Sequence, residues 1–420
     1  MNFASITGWK RSTLSAGVVV LLLAIAARLF DAPGLTGSST VSTALGFAVP
    51  VVLAGLGGIL AERAGVFNIG LEGMMIMGTW GAGFFGWHFG PWGALLGGLL
   101  GGIVGGALLA LATVTFAVEQ TVAGVAINIG ALGICRYLAG IFFDGKGPEG
   151  DVGTIADSPS VSNFGVRFPN IPWGKGELAP FAGVGNWLGE IEGKGWFLIS
   201  DIAGIVRGFA FDVAWSSVLL LALVPVVWYL VWRTPFGLRL RSSGEKPAAA
   251  ESLGVNVITT RWIALLMSGG LAGLGGSWLV LDSLKYQQGM TASRGFLGIA
   301  AMIFGNWMPG MLVIGALLFS FSQSVGFQLG TESRALIGAV GITFLLSALW
   351  TLSKRKWVAG AVAGLVGIGV MVFTFANATV NDALTKALPY LLTLIVLAVA
   401  SKRQRPPAAS GVPYIKGQAG

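Results

Sequence analysis

Apolar residues run along this chain in blocks of about twenty, the length a helix needs to cross the hydrocarbon core of a bilayer. Charged or Gly/Pro-rich stretches separate the blocks. The pattern predicts spans at roughly 14–30, 44–60, 66–87, 93–116 and 121–143. The second ends at Ala61-Glu62-Arg63, and the third carries Asn68 and Glu72. The fourth holds Gly93, Gly97, Gly101 and Gly105, with Gly98, Gly102 and Gly106 beside them. A spacing of four puts each set on one helix face, so two bare stripes let neighbouring backbones approach closely. From 144 to 212 the pattern breaks into a Gly/Pro-rich loop with nine acidic and five basic residues. Stretches 187–191 and 196–205 in it read as interfacial helices. The sixth span is 214–232, a basic loop covers 233–261, and the seventh span is 262–281. The apolar piece 296–304 is too short to cross, which predicts a half-helix or broken helix. Spans at 311–329, 335–352, 357–375 and 387–400 complete the pattern.

Composition agrees with this reading. Hydrophobic residues make up 54% of the 420 and charged ones 10%, against about 25% charged in soluble domains. The fold class is therefore all-α, a polytopic membrane helix bundle packed through small residues. The net charge of +8 reads as cytoplasmic Lys/Arg bias rather than nucleic-acid binding. Lys10 and Arg11, the 233–261 loop, Lys354-Arg355-Lys356 and Lys402-Arg403-Gln404-Arg405 are the basic clusters. Twelve segments place all of them, and both termini, in the cytoplasm and the acidic 144–212 loop outside. Residues 26–31 make a poor cleavage site, so the first apolar run reads as a retained helix. One cysteine, Cys135, and one histidine, His88, leave no intrachain disulfide, no thiolate metal cluster and little imidazole chemistry.

Three constellations carry candidate chemistry. In the run Ala61 to Met75, Asn68 and Glu72 stand four apart, which on a helix puts them on one face. A carboxylate inside an apolar helix has a partner or a water-filled cavity. That face therefore either lines a polar path or caps backbone and neighbouring helices. Gln120, Gly124 and Asn128 form a second stripe at spacing four. Uncharged amides suit a neutral, hydrogen-bonding solute, or equally hydrogen bonds between helices. The third is the basic loop, where Gly244 and Glu245 precede Lys246, Pro247, Ala248, Ala249, Ala250 and Glu251. Gly244 reads as punctuation, Pro247 suits a first helical turn, and Gly254 is a helix stop. The result is a short surface helix between two spans. Its small alanines leave room for docking into another protein, although a solvated loop fits the composition as well.

These segments resemble the permease subunits of ATP-binding-cassette importers for branched-chain amino acids, simple sugars and nucleosides. They are most similar to the nucleoside branch, which works with basic-membrane-protein-type lipoprotein receptors. The resemblance rests on Ala61 to Met75, on Gln120 to Asn128, and on Phe236-Gly237-Leu238-Arg239-Leu240-Arg241 through Val257. It extends to Arg294 through Trp307, to Leu388-Pro389-Tyr390-Leu391-Leu392, and to the stretch Pro406 to Tyr414.

The resemblance implies about ten core membrane segments, to which 335–376 adds a helix pair. It divides the chain into membrane helices at 1–143, an extracytoplasmic loop at 144–212, and further helices at 213–334 that carry the coupling loop. The pair at 335–376 and a last helix with its cytoplasmic end at 377–420 follow. The external loop is enlarged, and Lys246 stands where the family has Asn. The implied translocation path holds Asn68, Glu72, Gln120, Asn128 and Asn306; the implied ATPase coupling site holds Gly244, Glu245, Pro247 to Glu251 and Gly254. The implied partners are ATPase subunits, a second and unlike permease, a substrate-binding lipoprotein and membrane lipid, without nucleic acid, in a bacterial cytoplasmic (inner) membrane. The chain has no Gly-rich Lys-Ser/Thr phosphate loop, so it needs no cofactor of its own and ATP belongs to a partner. A rival is an ion-gradient transporter, which wants a buried acid relay; only Glu72 and Glu119 could serve. A membrane-embedded enzyme would need a cluster of Asp, Glu, His or Cys, and none is present.

Overall fold

The apolar runs become helices because a backbone in hydrocarbon must satisfy its own hydrogen bonds. The computed structural model describes residues 17–143, 182–327, 331–376 and 404–415, with Ala387 and Leu391. Among these the structure is helical, with no strand. Among the described residues, eight helices are long and apolar enough to cross a membrane. The expected last span, 387–400, and the 144–181 part of the long loop lie outside the described residues.

Two compact units divide the chain. One gathers Met1–Phe47, Ile171–Ala214 and Ser320–Leu392. It includes α1 (Gly17–Leu29), the first turns of α2 (Ser38–Arg63), α5 (Ala182–Gly193), α6 (Ile199–Ala210), α14 (Thr331–Ser353) and α15 (Trp357–Ala376). The expected stretch 187–191 thus falls in α5, and 196–205 overlaps α6, which starts at Ile199. Glu192 at the end of α5 accepts the Ser38 N–H (2.8 Å), one of the unpaired donors at the start of α2, and pairs with Arg207 (2.9 Å). α14 and α15 pack as an antiparallel pair, with Gly360 against Leu352 and Gly367 against Leu345.

The other unit gathers Ala48–Asn170, Trp215–Phe319 and Thr393–Gly420. It includes most of α2, α3 (Leu71–Ala110), α4 (Gln120–Phe143), α7 (Trp215–Leu221), α8 (Leu223–Arg233), α9 (Pro235–Glu245), α10 (Pro247–Ser252), α11 (Val257–Ser283), α12 (Arg294–Phe304) and the start of α13 (Pro309–Phe327). α3 corrects the expected third span, which starts at Leu71 and not near Val66. It is a hairpin. Pro91 biases its predecessor away from helical geometry, and Gly90 takes φ 69°, ψ −160°. The arms 71–89 and 91–110 are each about 30 Å long at 1.5 Å per residue, enough to cross.

Both glycine stripes do what their spacing predicts. Gly97 faces the Gly81 backbone, Gly101 faces Met77, and Gly105 faces Met74, which closes the two arms on each other. Gly98, Gly102 and Gly106 lie against Gly273, Gly269 and Leu265 of α11. A Cβ at Gly102 would overlap the Gly269 carbonyl. α12 is the short helix expected at 296–304. At 11 residues it covers about 16 Å, roughly half a bilayer core. The sixth span is split into α7 and α8 at Ala222, with Pro225 in the first turn of α8, where a missing N–H costs no intrahelical bond.

Candidate functional site

α2 closes at Arg63 with a left-handed glycine. Gly65 has φ +90°, its N–H donates to Glu62 O (2.9 Å), and the Val66 N–H donates to Ala61 O (3.0 Å). The next helix starts only at Leu71, so 64–70 is a non-helical connector. Within it Ala64, Gly65, Val66, Asn68 and Gly70 are buried. Non-helical backbone at membrane depth needs outside partners, and side chains of other helices supply them. The Phe67 N–H donates to Gln120 Oε1 (2.6 Å). Asn128 Nδ2 donates to Ile69 O (3.1 Å), and Asn128 Oδ1 accepts the Gly73 N–H (2.7 Å). Asn68 Nδ2 donates to Ser268 Oγ on α11 (2.9 Å). Gly124 leaves room for this: a Cβ there would stand 3.0 Å from Gly70 N. The Gln120/Gly124/Asn128 stripe is therefore one buried face of α4, and it grips the connector. Two amide atoms, Asn68 Oδ1 and Gln120 Nε2, are buried and find no partner among the described residues.

Asn68 and Glu72 do not share a helix face, because Asn68 precedes the helix. Glu72 lies in the first turn of α3 and caps α12. Its Oε1 accepts from Thr291 Oγ1 (2.7 Å) and the Ser293 N–H (3.2 Å), and its Oε2 from the Gly295 N–H (2.7 Å). Gly295 is required by this contact, since a Cβ there would lie 2.6 Å from Glu72 Cα. One carboxylate thus meets the positive ends of two helices. Glu119 caps α4 at the surface. The Thr121 and Val122 N–H groups donate to its oxygens (3.0 and 2.7 Å) and hold its carboxyl below the usual carboxylate range.

A second cluster forms where α2, α9, α10 and α11 meet the stretch 404–415. Gly244 lies inside the last turn of α9 and corrects the expectation of a break there. Its lack of a side chain lets α9 press on Arg63 and Gly65, with Ser243 Oγ donating to Ala64 O (3.1 Å). The break comes at Lys246, with φ −144°. Pro247 then opens α10, and Gly254 ends it at φ +85°. On α10, Ala250 faces inward at 2% exposure, while Ala248 and Ala249 are exposed and the adjoining Leu253 is 84% exposed.

Around α10, Gly244 O accepts the Ala409 N–H (2.8 Å), and Glu251 accepts from the Tyr414 hydroxyl. That hydrogen bond pushes the Tyr414 phenol up from its usual value. Beneath them Glu62, 2% exposed, accepts Trp307 Nε1–H (2.7 Å) and Ser410 Oγ–H (3.4 Å). Asn306 belongs to this second cluster through the Arg405 N–H, which donates to its Oδ1 (2.8 Å).

A family model described as "Branched-chain amino acid transport system / permease component" matches residues 40–349. The chain belongs to this family of transport permeases, which are not enzymes. The permease is 31% identical over 389 residues to the guanosine ABC transporter permease protein NupQ of Bacillus subtilis, covering 91% of this chain and 98% of the relative. It is 29% identical over 385 residues to the nucleoside ABC transporter permease protein NupC of Lactococcus lactis, covering 90% and 96%. The putative glucose ABC transporter permease protein TsgC13 of Haloferax volcanii is 29% identical over 355 residues, covering 84% and 88%. No solved structure matches the chain.

In the permease, four of the five expected path residues lie at or beside the connector, and Asn306 lies in the second cluster with the expected coupling residues. Sequence reasoning missed Leu253, Glu62 and Tyr414. An apolar residue between Ser252 and Gly254 on a polar loop was a signal for the first. Glu62 and Tyr414 acquire their roles only from residues distant in sequence.

Proposed function

We propose that this chain is one of two unlike permease subunits of an ATP-binding-cassette importer for nucleosides. It sits in the bacterial cytoplasmic (inner) membrane with both termini in the cytoplasm. The observation that carries this reading is α10, a short helix fixed from behind that presents Ala248, Ala249 and Leu253 outward. The exposed Ala248 and Ala249, with the 84% exposed Leu253 adjoining the helix, make a small apolar face outside the spans that fits a protein groove. The ATPases bind and hydrolyse ATP, and their closure moves α10. An extracytoplasmic lipoprotein delivers the solute, and the bundle alternates its opening between two states that nucleotide biases.

The solute path runs along the connector. Asn68, Glu72, Gln120 and Asn128 shape it, and the free Asn68 acceptor and Gln120 donor are groups a sugar hydroxyl or a base edge could engage. Asn306 is reassigned to coupling. The substrate class is supported by the names of the relatives similar over nearly their whole length. The relative named for glucose supports simple sugars as a second reading. The ion-gradient alternative is disfavoured: both Glu72 oxygens hold α12, and Glu119 is a surface cap. The pair 335–376 is an addition that leaves the path to the rest of the chain.

The test is Ala249→Arg, which puts a long cation on the presented face without touching the buried side. Uptake is expected to be lost and the ATPase to stop co-purifying, while the permease still inserts. Normal uptake by this variant would overturn the reading.

A further inference from the structure

α10 has six residues, too few to hold a helix by backbone hydrogen bonds alone. Among its residues only Ala250 is buried. Its position must be set by something else, and the stretch 404–415 lies against it. Tyr414 donates its hydroxyl to the Glu251 carboxylate, a charge-assisted bond. Behind Tyr414, the Arg261 guanidinium of α11 lies 5.4 Å from the ring centre, and its Nη1 donates to Val412 O (3.4 Å).

Further back, Ser410 reaches Glu62 at the end of α2, and Ala409 reaches Gly244 on α9. Arg405 reaches Asn306 in the turn after α12. Trp307 in that turn is itself tied to Glu62, and its carbonyl accepts from Arg63 Nη2 (3.3 Å). The far end of α12 is the one capped by Glu72 at the connector. One continuous strap therefore joins the exposed helix to the turn beneath the half-helix.

We propose that residues 405–414 are a second coupling element, a strap that positions α10 through Tyr414 and carries its displacement to the 305–308 turn through Asn306. This rests on the reading of α10 as the helix that meets the ATPase. Tyr414 and Asn306 act as positioning residues and touch neither solute nor nucleotide. A link through side-chain contacts needs a coupling measurement to support it.

The full complex of permeases, ATPases and receptor is reconstituted in liposomes. Radiolabelled guanosine, adenosine, uridine and ribose are compared in the wild type, and the one carried fastest is the probe. Tyr414→Phe is expected to assemble normally, while solute moved per ATP hydrolysed falls roughly tenfold, as the loss of one hydrogen bond to a charged group implies. Glu251→Gln weakens the same bond, so the double variant is expected to be no worse than Tyr414→Phe alone.

A merely structural tyrosine would lower the amount of assembled complex and leave that ratio unchanged. An unchanged ratio in Tyr414→Phe overturns the proposal. Should that variant fail to assemble, Asn306→Ala at the other end of the strap decides: a fallen ratio supports the proposal, and a wild-type ratio overturns it. Ala249→Arg separates the two levels of inference. Full uptake there overturns the reading of α10 itself. Loss there, with an unchanged ratio in Tyr414→Phe, overturns the strap alone.

Discussion

Asn128→Leu removes the two hydrogen bonds that Asn128 makes, one to the connector at Ile69 and one to the first turn of α3 at Gly73. The leucine has the same number and branching of side-chain heavy atoms, so the change chiefly tests polar contact. The Ile69 carbonyl loses its donor and the Gly73 N–H loses its acceptor. Asn128 is 9% exposed, so water does not readily replace it. Hydrogen bonds between membrane helices average about 0.6 kcal/mol, because the unfolded chain in the membrane also finds partners. A buried backbone group left unpaired costs about 1–3 kcal/mol. Two such groups set a range of roughly 1–6 kcal/mol. The upper half is expected, since the non-helical connector cannot pair the Ile69 carbonyl within itself and the Gly73 N–H is one of the orphan donors of the first turn of α3.

The assay is thermal unfolding of the detergent-purified protein, with uptake measured in the same preparations. Asn128→Leu is expected to lower both the midpoint and the uptake rate. Asn128→Asp keeps an acceptor for Gly73 but replaces the donor to Ile69 with a buried negative charge, so its midpoint is expected to fall at least as far. A wild-type midpoint and wild-type uptake in Asn128→Leu would refute the view that the amide organises the connector.

Two other perturbations probe separate parts of the fold. Gly102→Ala puts a methyl group into the Gly269 backbone. Overpacking of this kind costs about 1–3 kcal/mol, so a lower yield of folded protein and a lower unfolding midpoint are expected; Gly130→Ala, with open space around it, is the control. Glu119 has its carboxyl pKa depressed by the Thr121 and Val122 N–H groups. Its contribution to stability is full above the ordinary carboxylate pKa and is lost as pH falls through the depressed value. The midpoint difference between wild type and Glu119→Gln is therefore expected near neutrality and to vanish in acid. A difference that grows toward low pH would contradict the capping role.

Much of the candidate coupling site was legible because its signals are local. Pro247, three alanines and Gly254 specify a short helix wherever the chain goes, and the structure builds it between Lys246 and Leu253. The candidate path was only half legible. The Gln120/Asn128 stripe follows from spacing on a helix that does form. The pairing of Asn68 with Glu72 assumed a helix through 66–70, where the backbone instead takes its hydrogen bonds from α4. Gly244 looked like punctuation and is a contact surface, because close approach and chain reversal both call for glycine.

The sequence by itself determined which segments leave water, roughly where each helix begins and ends, and which glycine faces are bare. Those properties follow from side-chain hydropathy and from helical periodicity, which act over one or two turns. Only the tertiary structure decided that α2 stops short of a buried connector, that Glu72 caps a helix 223 residues further on, and that Tyr414 reaches α10. The physical reason is that a buried polar group left without a partner is costly, so nearly all of them find one. In a membrane bundle that partner comes from whichever helix packs alongside, and no local pattern names it.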